Sequence, residues 1–250
     1  MNAIRLLSAI AATAAVAGCA TMEPHSTEVT PEIRALVASP DRSEADRKTD
    51  ERRKPDMLLA FAGVRPGLKV LEVGAGSGYS AELLARRVGP QGVVYAHNSP
   101  DAIARFIKTR FDERAAKPVM HNVVKRISEF DDPVPAGVRD LDLVTMLYEY
   151  HDTPAMGMDR AKMNRRIFDA LKPGGHFVLV DHAAKPGAGA DVGKTLHRID
   201  EALVRREVEA AGFGFVASAD FLRNPDDPRE ATSSRATFRV DAFALKFVKP

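Results

Sequence analysis

The sequence is short of cysteine: Cys19 is the only one in 250 residues, so the chain can form neither an intrachain disulfide nor a multi-cysteine zinc site. It also lacks a charge imbalance. Thirty-six lysines and arginines face 34 aspartates and glutamates, leaving a formal charge of +2. That is too balanced for a nucleic-acid binder, whose affinity rests on neutralising many phosphates. A membrane-spanning run is missing at the N-terminus: the apolar stretch Leu6 to Ala17 rises only about 18 Å as a helix, against a hydrocarbon core of roughly 30 Å. Internal repeats are absent as well. With 45% hydrophobic and 28% charged residues, the composition is that of an ordinary globular protein, and one large α/β domain can absorb the length.

What is present begins with an address. Arg5, the apolar stretch and the small residues before Cys19 have the order of a secretory signal. Val16-Ala17-Gly18-Cys19 resembles the lipobox of bacterial lipoproteins, in which the cysteine is acylated and becomes the mature N-terminus. The resemblance implies a signal peptide at 1–18, lipidation at Cys19 and a membrane partnership through that lipid. Ala20, standing where an aspartate would retain the protein at the inner membrane, implies an envelope protein facing the periplasm and sorted to the outer membrane. Removal of residues 1–18 takes away only Arg5, leaving 35 basic against 34 acidic side chains and no basic membrane patch. Residues 19–44 read as a tether with a short docking helix around Ile33, Leu36 and Val37.

From residue 45 to 250 one domain is expected. Val70–Val73, Val93–Ala96, Val123–Ile127, Leu141–Leu147 and Phe177–Val180 are short β-rich runs that alternate with helical stripes, such as Ala81, Leu84, Ala85 and Val88. Such alternation predicts a three-layer α/β/α sandwich around a mostly parallel, Rossmann-like sheet. Two further strands, Phe213–Ser218 and Phe238–Val248, have no helix between them and predict an antiparallel C-terminal strand, for seven strands in all.

The most informative stretch is Val70-Leu71-Glu72-Val73-Gly74-Ala75-Gly76-Ser77-Gly78-Tyr79-Ser80: a strand, a glycine turn and a helix start in immediate succession. Glycines without Cβ atoms let backbone amides and a helix N-terminus approach a ligand. A dinucleotide fingerprint would need a third glycine where Tyr79 stands, and Glu72 before the turn would repel a pyrophosphate while suiting a cationic ligand. An NAD-dependent oxidoreductase is disfavoured on both counts.

This Glu-x-Gly-x-Gly-x-Gly pattern resembles motif I of class I S-adenosylmethionine-dependent methyltransferases, and the strand and helix order of residues 50–250 resembles the rest of that fold. The resemblance implies S-adenosylmethionine as cofactor, held by Glu72, Gly74, Gly76, Gly78 and Tyr79, with Glu72 near the cofactor ammonium. It implies Asn98 at the ribose, where the family carries an acid; Glu129 and Phe130 at the adenine; and Tyr148, at the end of the fourth strand, facing the methyl group. Arg53 or Lys54, in the helix before the first strand, is within reach of the cofactor carboxylate in that family.

In open α/β sheets ligands lie beyond the carboxyl ends of the strands. That rule gathers Tyr148, Tyr150, His151, Asp152, Asp181 and His182 around one crevice. His151, with an ordinary pKa near 6.5, suits proton abstraction, Asp152 is placed to orient it, and His182 competes for the role. The glycine-rich run from Ala183 to Thr195 delivers His197 and Arg198, which with Tyr150 are candidates for substrate binding. No paired-histidine spacing occurs, so no metal is expected. The expected activity is methyl transfer to a small molecule of unspecified identity; the alternative is a non-catalytic envelope lipoprotein whose similar pocket binds another ligand. The oligomeric state is not legible.

Overall fold

The computed structural model describes residues 28–250. The expected signal peptide and the expected lipidation site at Cys19 lie outside these residues. Seven strands form one sheet: β1 (Lys69–Val73), β2 (Val93–Asn98), β3 (Val123–Ile127), β4 (Leu141–Leu147), β5 (Leu171–His182), β6 (Gly214–Ala219) and β7 (Ala242–Val248). Their order across the sheet is β3-β2-β1-β4-β5-β7-β6. The first five strands pair in parallel, and β7 runs antiparallel between β5 and β6. This is the expected mostly parallel sheet, and the order reverses between β1 and β4, the point at which open α/β sheets form their ligand crevice.

Nine helices complete the described residues: α1 (Pro31–Val37), α2 (Glu44–Arg53), α3 (Pro55–Ala62), α4 (Tyr79–Val88), α5 (Pro100–Ala102), α6 (Arg110–Ala115), α7 (Arg160–Ala170), α8 (Gly193–Leu196) and α9 (Glu201–Ala210). Ile103, Phe106, Ile107 and Phe111 have the spacing of a helical stripe but do not lie on one continuous helix. A π-helical turn at Ile103–Ile107 follows α5, and the backbone breaks at Lys108, which has a φ of 52°. The break sends Phe111 into the core under Gly78 and leaves Phe106 65% exposed.

The period of two along each strand sorts side chains onto the two faces of the sheet. On β1, Val70 packs on the face covered by α1, α3 and α4, while Leu71 and Val73 join Met163, Ile167, Val204 and Phe213 on the face covered by α7 and α9. Glu72 follows Val70 in this alternation and points to the α4 side. The same rule separates Val178 and Val180 from Phe177 and Leu179 on β5.

The apolar cluster at Ile33, Leu36 and Val37 forms α1, which packs on α3 and α4, and Ile33 is buried in the core. Thr30 caps this helix with its hydroxyl. Replacing Ile33 by alanine removes three buried carbons and should cost about 2–4 kcal/mol. Urea unfolding of Ile33→Ala measures it: a lower midpoint at an unchanged slope is expected, and an unchanged midpoint would show α1 to be an appendage.

Candidate active site

The turn between β1 and α4 has all three glycines in the left-handed region, with φ of 73°, 56° and 85° at Gly74, Gly76 and Gly78. Two of them matter for the site. A Cβ on Gly74 would lie 2.5 Å from Cγ of Glu149, whereas a Cβ on Gly76 would point into open space. Gly76 therefore leaves a bare backbone edge that a ligand can approach. The loop is held from β2: Asn98 Oδ1 accepts from the Gly76 amide at 2.8 Å, and Asn98 Nδ2 donates to the Gly76 carbonyl at 3.0 Å. Both ends of this buried amide are thereby used, so Asn98 orders the glycine loop instead of meeting a ribose as expected. His97 assists. Burial lowers its pKa to about 4, and the neutral ring accepts from the Gly74 amide through Nδ1 and donates from Nε2 to the Ser128 carbonyl at 2.9 Å.

Glu72 is almost completely buried. The Ser80 hydroxyl donates to its Oε1, but its Oε2 has no hydrogen-bond partner. Burial, only partly offset by Ser80 and by the nearby Arg53, pushes the carboxyl up to about 7. A half-satisfied buried carboxylate beside an open backbone edge is a site for a cationic donor. Over it, the Arg53 guanidinium sits 4.7 Å from the Tyr148 ring centroid and 5.4 Å from that of Tyr79, with its buried Nε unpartnered. Tyr79 donates its hydroxyl to Asp50 at 2.5 Å. Glu149, which the sequence reading passed over, lines the same cleft against Gly74. Burial, reinforced by Asp152, pushes its carboxyl up to about 8.

The crevice beyond β4 and β5 is organised by Asp181. This buried carboxylate accepts from the His151 backbone amide at 2.8 Å, from His151 Nδ1 at 2.6 Å and from the His182 amide at 2.7 Å. Burial alone would lower the pKa of His151, but Asp181, with Asp152 and Glu149 behind it, raises it to about 9. His151 is thus an imidazolium at neutral pH and does not serve as the expected base. His182 is the opposite case: burial outweighs the pull of Asp181 and lowers its pKa to about 4, and its Nδ1 has no partner. The two rings lie 5.8 Å apart, and the His182 ring is 4.8 Å from that of Tyr148, whose φ of 65° is strained for an aromatic residue. Asp152 stands between His151 Nε2 at 3.3 Å and His197 Nδ1 at 2.9 Å.

With this geometry the chain compares directly with known proteins. Residues 70–175 match a family described as methyltransferase domain. The fold is that of S-adenosylmethionine-dependent methyltransferases. A crystal structure of such an enzyme from Aquifex aeolicus matches with a TM-score of 0.59 at 19% identity, covering 82% of this chain and 97% of the other. Among curated proteins, the ubiquinone/menaquinone biosynthesis C-methyltransferase of Idiomarina loihiensis is 28% identical over 120 residues, or 48% of this chain and 45% of its own length. A protein-L-isoaspartate O-methyltransferase of Methanosarcina mazei is 28% identical over 123 residues, 49% and 44% of the two chains. The chain spans just under half the length of the curated relatives it matches.

Three expected site residues, Phe130, Tyr150 and Arg198, lie elsewhere. Phe130 is 1% exposed, edge-on to His97 and within the core, so it offers no free face to an adenine, while Glu129 is exposed. Tyr150 is fully buried away from the crevice, donating to Glu207 at 2.8 Å and accepting from Asn164 at 2.9 Å. Arg198 is fully buried. It pairs with Asp227 at 2.8 Å and 3.2 Å and donates to the carbonyls of Ala183 and Ala231. It pins the 223–241 segment to the end of β5, with four of its five N–H donors used and no exposed surface to offer a substrate.

Arg198→Ala strands a buried aspartate and should cost about 3–5 kcal/mol of stability. The expected outcome is a large drop in the denaturation midpoint with ligand affinity of the folded fraction unchanged. An unchanged midpoint with weakened ligand binding would return Arg198 to the crevice.

Proposed function

We propose that this chain is an S-adenosylmethionine-dependent methyltransferase acting on a small-molecule acceptor. The observation that carries the reading is the buried, unpartnered Oε2 of Glu72 on the strand that leads into the glycine turn, where Gly76 leaves an open backbone edge. The residues fit the cofactor by charge: Glu72 meets an ammonium, the unpartnered Nε of Arg53 meets a carboxylate, and Gly76 admits both without a side chain in the way. When bound, S-adenosylmethionine supplies an activated methyl group on a sulfonium.

The chain's own residues then have three tasks in an in-line displacement: alignment, exclusion of water and acceptance of the acceptor's proton. Tyr148, held in its strained conformation, walls the crevice at the end of β4. His182 is neutral at pH 7 and carries a buried, unpartnered ring nitrogen, so it takes the proton-accepting role first expected of His151. The His151 imidazolium, fixed by Asp181, favours a negatively charged acceptor atom nearby. The match of residues 70–175 to methyltransferase domains supports the reading as a whole.

The protein is further proposed to be lipid-anchored at Cys19 on the periplasmic side of a bacterial envelope, in keeping with the lipobox-like Val16-Ala17-Gly18-Cys19. S-adenosylmethionine is made in the cytosol, so activity there depends on cofactor that reaches the envelope. Membrane fractionation of cells expressing the wild type and Cys19→Ala tests the anchor. Wild type in the membrane and variant in the soluble fraction are expected; wild type wholly in the cytosol rejects export.

Calorimetry with S-adenosylmethionine, S-adenosylhomocysteine and NAD tests the cofactor. Binding of the first two and not of NAD is expected, with affinity rising about tenfold per pH unit up to pH 7 and levelling above it, because the ammonium requires ionised Glu72. Glu72→Gln should lose at least about a hundredfold in affinity by removing that charge. The same change should stabilise the unliganded protein at pH 8. A folded-state pKa near 7, above the ordinary 4.5, means stability is lost as pH rises between those values, a penalty on the order of 3 kcal/mol that glutamine relieves. No binding at millimolar ligand, or an affinity indifferent to both pH and Glu72→Gln, rejects the site.

A further inference from the structure

His151, Asp152 and His197 each offer a ligand atom, and these atoms lie within 4.8 Å of one another. We propose that they form a binding site for a first-row divalent transition ion, zinc being the reference case, at the edge of the crevice beside His182. Nothing in the sequence spacing announces the site, since Asp152 and His197 are 45 residues apart.

Three observations carry the proposal. The first is distance. Metal bonds of about 2.1 Å at tetrahedral or octahedral angles separate adjacent donor atoms by roughly 3.0–3.4 Å. Asp152 Oδ1 lies 3.3 Å from His151 Nε2 and 2.9 Å from His197 Nδ1, so the carboxylate oxygen already stands in such a relation to both imidazoles.

The second is the support behind His151. Its Nδ1 is fixed by Asp181 at 2.6 Å, and its backbone amide by the other oxygen of the same carboxylate. A carboxylate behind the far nitrogen of an imidazole fixes the ring and aims Nε2, the usual arrangement behind a ligating histidine. The ion would take the place of the proton that the surrounding acids otherwise hold on this ring.

The third is the backbone that delivers His197. It is a non-glycine residue in the left-handed region, with a φ of 48°, and Ser233 donates to its carbonyl at 2.7 Å. Four residues earlier, Gly193 presses so closely on the carbonyl of His151 that any Cβ there would collide with it. Strain and close approach of this kind persist where the surroundings over-determine a conformation, as at functional sites. Here they bring an imidazole, half-exposed and otherwise dispensable for packing, to within 5.6 Å of the His151 ring centre.

Two imidazoles and one carboxylate are a borderline donor set that suits zinc, cobalt, manganese or iron and is poor in oxygen for magnesium or calcium. Three protein ligands also leave positions open, which an anionic oxygen or sulfur of an acceptor can fill. That last step rests on the methyl-transfer reading; the metal site itself does not.

The experiment is titration of the full chain, without S-adenosylmethionine, with Zn²⁺, Co²⁺ or Mg²⁺ alone, followed by calorimetry and, for cobalt, by its visible absorption spectrum. One equivalent of zinc or cobalt bound at micromolar or tighter affinity is expected, with magnesium at least a hundredfold weaker and a cobalt spectrum of low-symmetry nitrogen and oxygen ligation. His197→Ala and Asp152→Asn should each weaken zinc binding at least a hundredfold. Asp181→Asn should weaken it about tenfold to a hundredfold by loosening His151. His197 is half-exposed, so its alanine variant keeps the fold, which circular dichroism verifies. Absence of saturable binding, or binding that persists in both His197→Ala and Asp152→Asn, overturns the site. The latter result would assign the ion to other groups such as Cys19 or His25. Metal binding without any affinity for S-adenosylmethionine would uphold this site and reject the methyl-transfer reading.

Discussion

A carboxylate with no exposure to water survives as an anion only when donors surround it, and Asp181 is such a group. Its two oxygens accept from two backbone amides and one imidazole, which together hold its carboxyl below the usual range against the cost of burial. Those three donors belong to the loop after β4 and to the end of β5. Asp181 therefore sets the relative position of His151 and His182, fixes the charge of the first, and through His151 sets where Asp152 and His197 meet. The chemistry of the crevice is downstream of one satisfied anion.

Glu72, on β1 and separated from β5 by β4, is the contrasting case in the same sheet. It too is buried, but it receives one hydrogen bond where Asp181 receives three, and its carboxyl rises where that of Asp181 falls. A fold gains nothing by itself from a buried acid left half-paired, since such a group costs on the order of 1–3 kcal/mol. Under the proposed function its missing partner is the cofactor ammonium, which is not part of the chain. Two buried carboxylates of one sheet thus differ in how they are satisfied, and counting their donors tells them apart where residue type does not.

The strands, the antiparallel end and the glycine loop were legible because each rests on a short-range pattern: apolar runs of strand length, helix-period stripes, and glycines where φ must be positive. The crevice was legible only in part. Tyr148, His151, Asp152, His182 and His197 do converge beyond the strand ends, but Tyr150 does not, because one residue along the 3₁₀ turn after β4 it faces Glu207 and Asn164 instead. Arg198 reads as an anion clamp until its partner is known, and that partner, Asp227, lies 29 residues on in a polar segment with no pattern. Glu149 escaped notice for the converse reason: its importance comes from Gly74, to which it packs across two strands. Protonation was the least legible property. Ordinary pKa values favoured His151 as a base, whereas its position between three acids makes it a cation and leaves His182 neutral.

The roof over the cofactor loop obeys a different rule from the sheet beneath. Helix α2 has the sequence Glu-Ala-Asp-Arg-Lys-Thr-Asp-Glu-Arg-Arg, and its buried residue is an aspartate. Apolar burial cannot be what docks it. Asp46 is gripped in fork geometry by Arg114, which also donates to Ser77 in the glycine loop and to Glu82 on α4. Asp50 is gripped by Arg42 in the same way and receives the Tyr79 hydroxyl. Helix, loop and α4 are thus joined through paired, directional bonds of partly buried charges, which lose strength in salt while the apolar core gains it. Because Arg53 ends this helix, its reach over Glu72 and Tyr148 is set by the same ion pairs. Of the two charged groups in the proposed cradle, Arg53 is placed by electrostatics and Glu72 by burial on the sheet.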